Sequence, residues 1–348
     1  MIYSRQKLVK AFSELGNTMV LFGENAPYGK FHGLLDETFY DKFNQAIKKE
    51  KIFNGWFTED AVRKSLLEQG IWLSETNLNE WLSNYSWSEK PKSVGIIMAG
   101  NIPLVGFHDF LAVLCSGHKA KIKLSSDDSR LFPFLLEVLM LFLPDVDAYV
   151  SIAPHLKQMD AVIATGSDNS ARYFEKYFGQ IPNIIRKNRT SVAVIDGSET
   201  EEELYALGKD VFTYFGLGCR NVTKLLLPED FDMNRFFKAV LPFAEIVHHN
   251  KYANNYDYHK AIYLMNQETV IENGFLLTKE TTELFAPIAV LYLQRFASTA
   301  KVKEYLQENE DKIQAVIGHD YLPFGSAQCP TLTDYADGVD TMLFLEQL

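Results

Sequence analysis

One cysteine stands in a setting suited to nucleophilic chemistry. Cys219 lies in Phe215-Gly-Leu-Gly-Cys-Arg-Asn, where flanking glycines let a substrate come close to the backbone. Arg220 beside it could favour the thiolate, the form that attacks carbonyls. A buried inert thiol is the other reading of the same residues. Cys115 falls inside an apolar helical stretch and Cys329 precedes Pro330, which suits core and structural positions. Three cysteines without a C-x-x-C pair make neither a zinc site nor a disulfide framework, so no metal is expected.

Further polar residues close apolar runs. Asn101, in Gly-Asn-Ile-Pro, could donate its amide to an oxyanion or cap the helix that follows. Lys123, with Ser125 and Ser126 behind it, could meet a ribose or phosphate, or simply be a solvated strand end. Gly166 and Ser167 follow a strand-like run and open a helix, where exposed N–H groups suit a phosphate. A tight turn with Ser167 as N-cap is the plainer account of those few residues. No G-x-G-x-x-G follows a strand. His248, His249 and His259 are acid/base candidates, although a surface pair is the plainer account of the first two.

The elements that must position these residues follow from the apolar pattern. Residues 1 to 90 look helical, with Leu8, Phe12 and Leu15 at helical spacing and Thr58 as an N-cap. From Pro91 onward, short apolar runs alternate with helices. Strands are expected at Ser93, Ala120, Ala148, Ala161 and Ser191, and again at Val222, Phe275, Ile288 and Gln314. That alternation predicts βαβ units and parallel sheets covered on both faces. The expected organisation is a helical region over 1–90, a cofactor-binding α/β domain over 91–211 and a catalytic α/β domain over 212–320. A final segment, 321–348, is expected to return to the cofactor domain or to an oligomer interface, with Asp340 to Leu345 as a last strand.

Composition narrows the function classes. Lys and Arg total 34 against 45 Asp and Glu, a net charge of −11. That argues against nucleic-acid binding, which needs clustered basic residues. The opening residues lack the apolar run of a signal peptide. The most apolar stretch, Leu131 to Leu143, is about 13 residues, too short for the roughly 20 a bilayer requires. A cytoplasmic protein without a membrane span is expected.

The order of the candidate residues carries a resemblance. Asn101, Lys123, Gly166-Ser167, Cys219 and Glu283-Leu-Phe-Ala-Pro occur in the order of the motifs of the aldehyde dehydrogenase superfamily. Within it, Arg189-Thr-Ser-Val-Ala-Val-Ile, Phe215-Gly-Leu-Gly-Cys-Arg-Asn-Val-Thr and Pro323-Phe-Gly-Ser-Ala-Gln resemble the acyl-CoA reductase family, that of the fatty-acid reductases of bacterial luminescence. The likeness covers 93 to 348 well and the first 90 residues loosely. It implies an aldehyde dehydrogenase-like α/β fold, two Rossmann-like domains with an N-terminal helical region. It implies Cys219 as nucleophile, Asn101 as oxyanion donor, and Lys123, Ser125, Ser126, Gly166, Ser167 and Glu283 as cofactor contacts.

Two departures sharpen that implication. Hydrolytic members carry a glutamate before the nucleophile segment; the corresponding stretch here, Arg186-Lys-Asn-Arg-Thr-Ser-Val, has no carboxylate. An acyl-enzyme would then be spared from water and could exchange with a thiol. Ser126 stands where the superfamily often has a glutamate that repels a 2′-phosphate, so NADPH is tolerated and NADH stays open.

The reading is an NADPH-dependent reductase of an acyl thioester, acyl-CoA or a carrier-bound acyl group, passing through a Cys219 thioester to the aldehyde. The family also suggests an acyl-transferring partner protein and leaves a homo-oligomer open. An acyl-phosphate reductase on the same fold is the nearest rival. A non-catalytic scaffold of that fold is the other, disfavoured because a binding module needs no nucleophile.

Overall fold

The computed structural model describes residues 4–31 and 35–348; Met1 to Tyr3 of the opening segment lie outside the described residues. The chain divides into two compact units, Met1–Lys187 with Thr331–Leu348, and Asn188–Pro330.

The first unit opens with four helices, α1 (Arg5–Gly23), α2 (Glu37–Phe53), α3 (Glu59–Trp72) and α4 (Glu75–Leu82). Side-chain caps start each of them: Ser4, Asp36, Thr58 and Ser74 accept first-turn N–H groups. Helices α1 and α3 meet through glycine. A Cβ on Gly16 would lie 2.6 Å from Leu73 Cβ, and one on Gly70 would lie 2.9 Å from the Gly16 carbonyl oxygen.

An α/β layer follows: β1 (Ser93–Ile97), α5 (Phe107–Cys115), β2 (Lys119–Lys123), α6 (Leu131–Phe142), β3 (Val150–Ile152), β4 (Ala161–Thr165), α7 (Asp168–Phe178) and β5 (Asn183–Arg186). The strands form one parallel sheet in the order β3-β2-β1-β4-β5. Strand β1 is central and almost wholly buried, as its unbroken apolar run demands. The apolar helices α5 and α6 join α1 to α4 in one core.

The second unit contains β6 (Thr190–Val194), α8 (Glu201–Phe212), β7 (Val222–Pro228), α9 (Met233–Ala239), α10 (Asn250–Met265), β8 (Ile271–Glu272), β9 (Leu277–Glu280), β10 (Val290–Phe296), α11 (Thr299–Glu308) and β11 (Ile313–Ile317). Its sheet order is β11-β6-β7-β10-β9-β8, parallel except for β8. The chain then returns to the first unit, where α12 (Thr341–Glu346) packs against α5.

Several expectations change. The division falls after Lys187, not after residue 211, because β6 hydrogen-bonds to β7 and β11 and so belongs to the second sheet. The fifth strand of the first sheet is β5, which lacks a long apolar run. The tail expected as a strand is α12, whose start Asp340 caps by accepting the Leu343 N–H. Helix α9 stops at Ala239, and the chain continues as a 3-10 helix, Leu241–His248, with Pro242 in its first turn. Among the described residues no helix is long and apolar enough to cross a membrane.

Candidate active site

The first unit gathers six of the expected residues on one sheet edge. Ile97, Lys123 and Ala164 stand abreast in register near the carboxyl ends of β1, β2 and β4. The turns that leave those ends carry Gly100-Asn101, Ser125-Ser126 and Gly166-Ser167. The strand order reverses between β1 and β4, the point where open α/β sheets take ligands. Packing there is close: a Cβ on Gly100 would lie 2.5 Å from Ser125 Oγ. Ser167 caps α7 by accepting the Ser170 N–H (3.3 Å), and first-turn N–H groups of a helix have no intrahelical partner.

The turn that carries Asn101 is held from behind. Leu104 has a left-handed backbone (φ 58°), a conformation that L-residues adopt at a cost. Its N–H donates to Asp128 Oδ2 (2.6 Å), while its carbonyl accepts from Gln69 Nε2 (3.2 Å). Ser65 Oγ donates to the Pro103 carbonyl (2.7 Å). Thus α3 and the segment after β2 fix the turn together. Burial pushes the Asp128 carboxyl up to about 7, against the Leu104 N–H, which favours the ionised form. Its Oδ1 is buried without a partner among the described residues. Asn101 itself is exposed, and it is not the cap of α5, whose N-cap position is Gly106.

In the second unit Cys219 is half-buried, in the turn just before β7. Tyr214, Phe215 and Gly216 are all left-handed (φ 52°, 59° and 80°). Only the glycine adopts that conformation freely, so the other two must be held. Asn221 does much of this. Its Oδ1 accepts the Gly218 N–H (2.8 Å), and its Nδ2 reaches the carbonyls of Asp210 (3.1 Å), Val211 (3.2 Å) and Thr213 (2.7 Å). The Phe215 ring lies 4.3 Å from that of His249, which caps α10 by accepting the Tyr252 N–H. Ser191 Oγ donates to the Cys219 carbonyl (3.1 Å).

Arg220 donates to the Ala327 carbonyl (3.3 Å). Buried Asp210 accepts the N–H groups of Gly325 (2.7 Å) and Ala327 (2.9 Å), fastening the Pro323-Phe-Gly-Ser-Ala-Gln segment. Burial pushes Asp210 up to about 6, although those two donors pull the other way. Glu283 is exposed in the β9–β10 connection, and Tyr292 Oη donates to its carboxylate (3.2 Å).

The other cysteine and histidine candidates differ in burial and partners. Burial raises the Cys115 thiol far above its usual range, so it is core. Cys329 is exposed. His248 is an exposed partner of Glu245 (3.6 Å), and burial lowers His259. In the 186–191 stretch, Arg186 ion-pairs with Asp109 and donates to Thr341 Oγ1 (2.9 Å). Sequence reasoning passed over Asn221, Asp128, Asp210 and Lys224. Only Lys224, a charge in the middle of an apolar strand, left a visible signal.

A cluster of Asp196, Glu199 and His319 lies at the other end of β6 from Ser191. Burial works against the Asp196 carboxylate, but hydrogen bonds from Ser198 and His319 hold it at about 2. These groups close on one another rather than on Cys219.

The sequence model of the family described as Acyl-CoA reductase (LuxC) matches residues 34–241. No curated protein matches the chain. Among solved structures, it is similar to an NAD-dependent aldehyde dehydrogenase from Sinorhizobium meliloti, with TM-score 0.67 and 10% identity over 90% of this chain and 70% of that one. Aldehyde dehydrogenase 21 from Physcomitrella patens gives 0.64 at 10% identity, over 91% and 74%. An acetylating aldehyde dehydrogenase from Geobacillus thermoglucosidasius gives 0.57 at 10% identity, over 90% and 76%. The fold is therefore that of the aldehyde dehydrogenases, and the chain, an oxidoreductase acting at the aldehyde level, belongs to the acyl-CoA reductase (LuxC) family.

Proposed function

We propose that the protein reduces an acyl thioester, acyl-CoA or a carrier-bound acyl group, to the aldehyde with NADPH, through a thioester on Cys219. One observation carries most of this reading. Cys219 sits on a turn held by Asn221, and the residue of the 186–191 stretch that hydrogen-bonds its backbone carbonyl is Ser191, a hydroxyl and not a carboxylate.

The donor set fits a dinucleotide in the first unit. Lys123, the exposed hydroxyl of Ser126, the glycine turns and the first turn of α7 share one edge, and such groups suit ribose hydroxyls and phosphates. Ser125, Gly166, Ser167 and Glu283 complete the proposed contacts. Bound NADPH would supply the hydride that takes the acyl group to the aldehyde level.

Cys219 Sγ attacks the thioester carbonyl and forms a new C–S bond. The oxyanion accepts a hydrogen bond from the Cys219 N–H, with the Asn101 amide as the proposed second donor, then collapses and expels the CoA thiolate. After reduction, the thiohemiacetal on Cys219 breaks its C–S bond, releasing aldehyde and the thiolate. A thiolate leaves without a strong general acid, which matches a turn that carries none.

The test is stepwise. Acyl-CoA alone should release one equivalent of CoA and leave an acyl adduct on Cys219, and NADPH should then convert the adduct to aldehyde. Turnover of an acyl phosphate with no reaction on acyl-CoA would favour the rival reductase. Failure to acylate at all would favour a binding scaffold. The family likeness extends the proposal to an acyl-transferring partner protein, a homo-oligomer and a cytoplasmic setting.

A further inference from the structure

Strand β7 carries a charge where a central parallel strand should be apolar. Lys224 is wholly buried, on the same strand face as Leu226. Burying an ammonium is unfavourable unless its hydrogens find acceptors. An unbranched apolar side chain such as methionine would avoid that cost. Burial pulls the ammonium down to about 8, the expected sign of desolvation. Something must offset this.

The offset lies in the connection between β9 and β10. These strands are parallel neighbours, yet only residues 281–289 join them. Parallel neighbours usually need a crossover of a dozen or more residues. This short segment doubles back across the sheet, and Lys224 catches it. Its Nζ donates to the carbonyls of Thr281 (3.0 Å) and Glu283 (2.7 Å), with the Tyr305 ring 5.0 Å away. Lys224 and Tyr292 are register partners on β7 and β10. Tyr292 Oη donates to the Glu283 carboxylate (3.2 Å), and the Glu283 N–H donates to Thr281 Oγ1 (3.2 Å). Glu283 is solvent-exposed, yet its N–H, its carbonyl and one carboxylate oxygen are all held.

We infer that Lys224 is a positioning residue for Glu283, anchoring the turn so that this carboxylate is presented to the cofactor in a fixed place. The inference rests on the proposed reading of Glu283 as a cofactor contact. Pre-organisation of this kind is worth its cost because a small misplacement of a binding group lowers rate steeply. It also gives β7 two tasks: the turn before it bears Cys219, and its buried lysine sets Glu283.

Two half-reactions separate this role from general support of the fold. Acylation, read as CoA release and adduct mass without cofactor, does not use Glu283. Hydride transfer, read as NADPH oxidation, does. Lys224→Met and Glu283→Gln should each raise the NADPH KM or slow hydride transfer about tenfold, with acylation within about twofold of wild type. The double variant should be no worse than Glu283→Gln alone, since the lysine acts through the glutamate. Lys224→Gln, a shorter donor toward the same carbonyls, should recover part of the loss; if Lys224→Met does not fold, this variant carries the test on the same readouts. Equal slowing of acylation, or additive losses in the double variant, would overturn the positioning role. Unchanged NADPH kinetics in Glu283→Gln would instead remove Glu283 from the cofactor contacts, a failure of the underlying reading visible without any lysine variant.

Discussion

Asn221 accepts the Gly218 N–H at 2.8 Å and so sets the peptide that leads into Cys219. With Nδ2 on three carbonyls near the end of α8, this one wholly buried side chain joins a helix terminus to the nucleophile turn. Asn221→Ala should strand several buried polar groups at about 1–3 kcal/mol each. The expected result is a loss on the order of 3 kcal/mol in denaturant unfolding and at least about tenfold slower Cys219 acylation. Asn221→Asp, which keeps the acceptor but not the donors, should fall between.

Cys219→Ala should abolish both the acyl adduct and aldehyde formation while NADPH binding survives. A thiol-reactive probe should label Cys115 most slowly, because its thiol is buried and pushed up. An acyl adduct that persists in Cys219→Ala would move the nucleophile to another cysteine.

Cofactor choice is read at Ser126. Ser126→Glu should weaken NADPH by about tenfold or more and leave NADH little changed, through repulsion of the 2′-phosphate. An unaltered NADPH/NADH ratio would show that Ser126 does not face the adenosine ribose.

The acyl-Cys219 adduct should hydrolyse slowly and revert on adding CoA, followed by intact-protein mass. Ser191 is the near neighbour from β6, whereas Asp196 lies five residues further along the chain, past the end of the strand. At about 3.3 Å per residue that separation is roughly 16 Å. Asp196→Asn should therefore leave adduct lifetime unchanged; a longer lifetime would make Asp196 the base.

Stability should fall as pH rises past the ordinary carboxylate range. Asp128 is raised to about 7 by burial, so the folded state keeps a proton that the unfolded chain has lost by then. The stabilisation is complete below about pH 4 and is lost as pH climbs through about 7. Asp128→Asn keeps an acceptor for the Leu104 N–H and should flatten this part of the profile. The Tm difference between wild type and variant should change by several degrees between pH 5 and pH 8, on the order of a few kcal/mol.

The sequence discloses what is local. Glycines around Cys219, the cap at Thr58 and the unbroken apolar strands are each readable within a few residues, and the structure places them so. The helix α10 was hidden because His249 is an unusual cap and its buried side chains, Tyr252, Tyr256 and Tyr263, are half polar. The contacts of Lys224 and Asp128 are hidden for another reason. Their partners lie 57, 59 and 24 residues away, and no periodicity reports a contact made by tertiary packing. Likewise β6 reads as a strand from its own residues, but which sheet it joins is set by β7 and β11.

The return of Thr331–Leu348 to the first unit bears on how the polypeptide matures on the ribosome. Met342 and Leu345 are buried in the core formed by α1 to α6, and His118 Nε2 meets the Leu345 carbonyl at 2.9 Å. That core stays open at α5 until translation has delivered all of Asn188–Pro330 and the last helix after it. The second unit is contiguous and can close as soon as it emerges. The half made first is thus finished last, and during that interval its uncovered apolar surface is what a nascent-chain chaperone would bind.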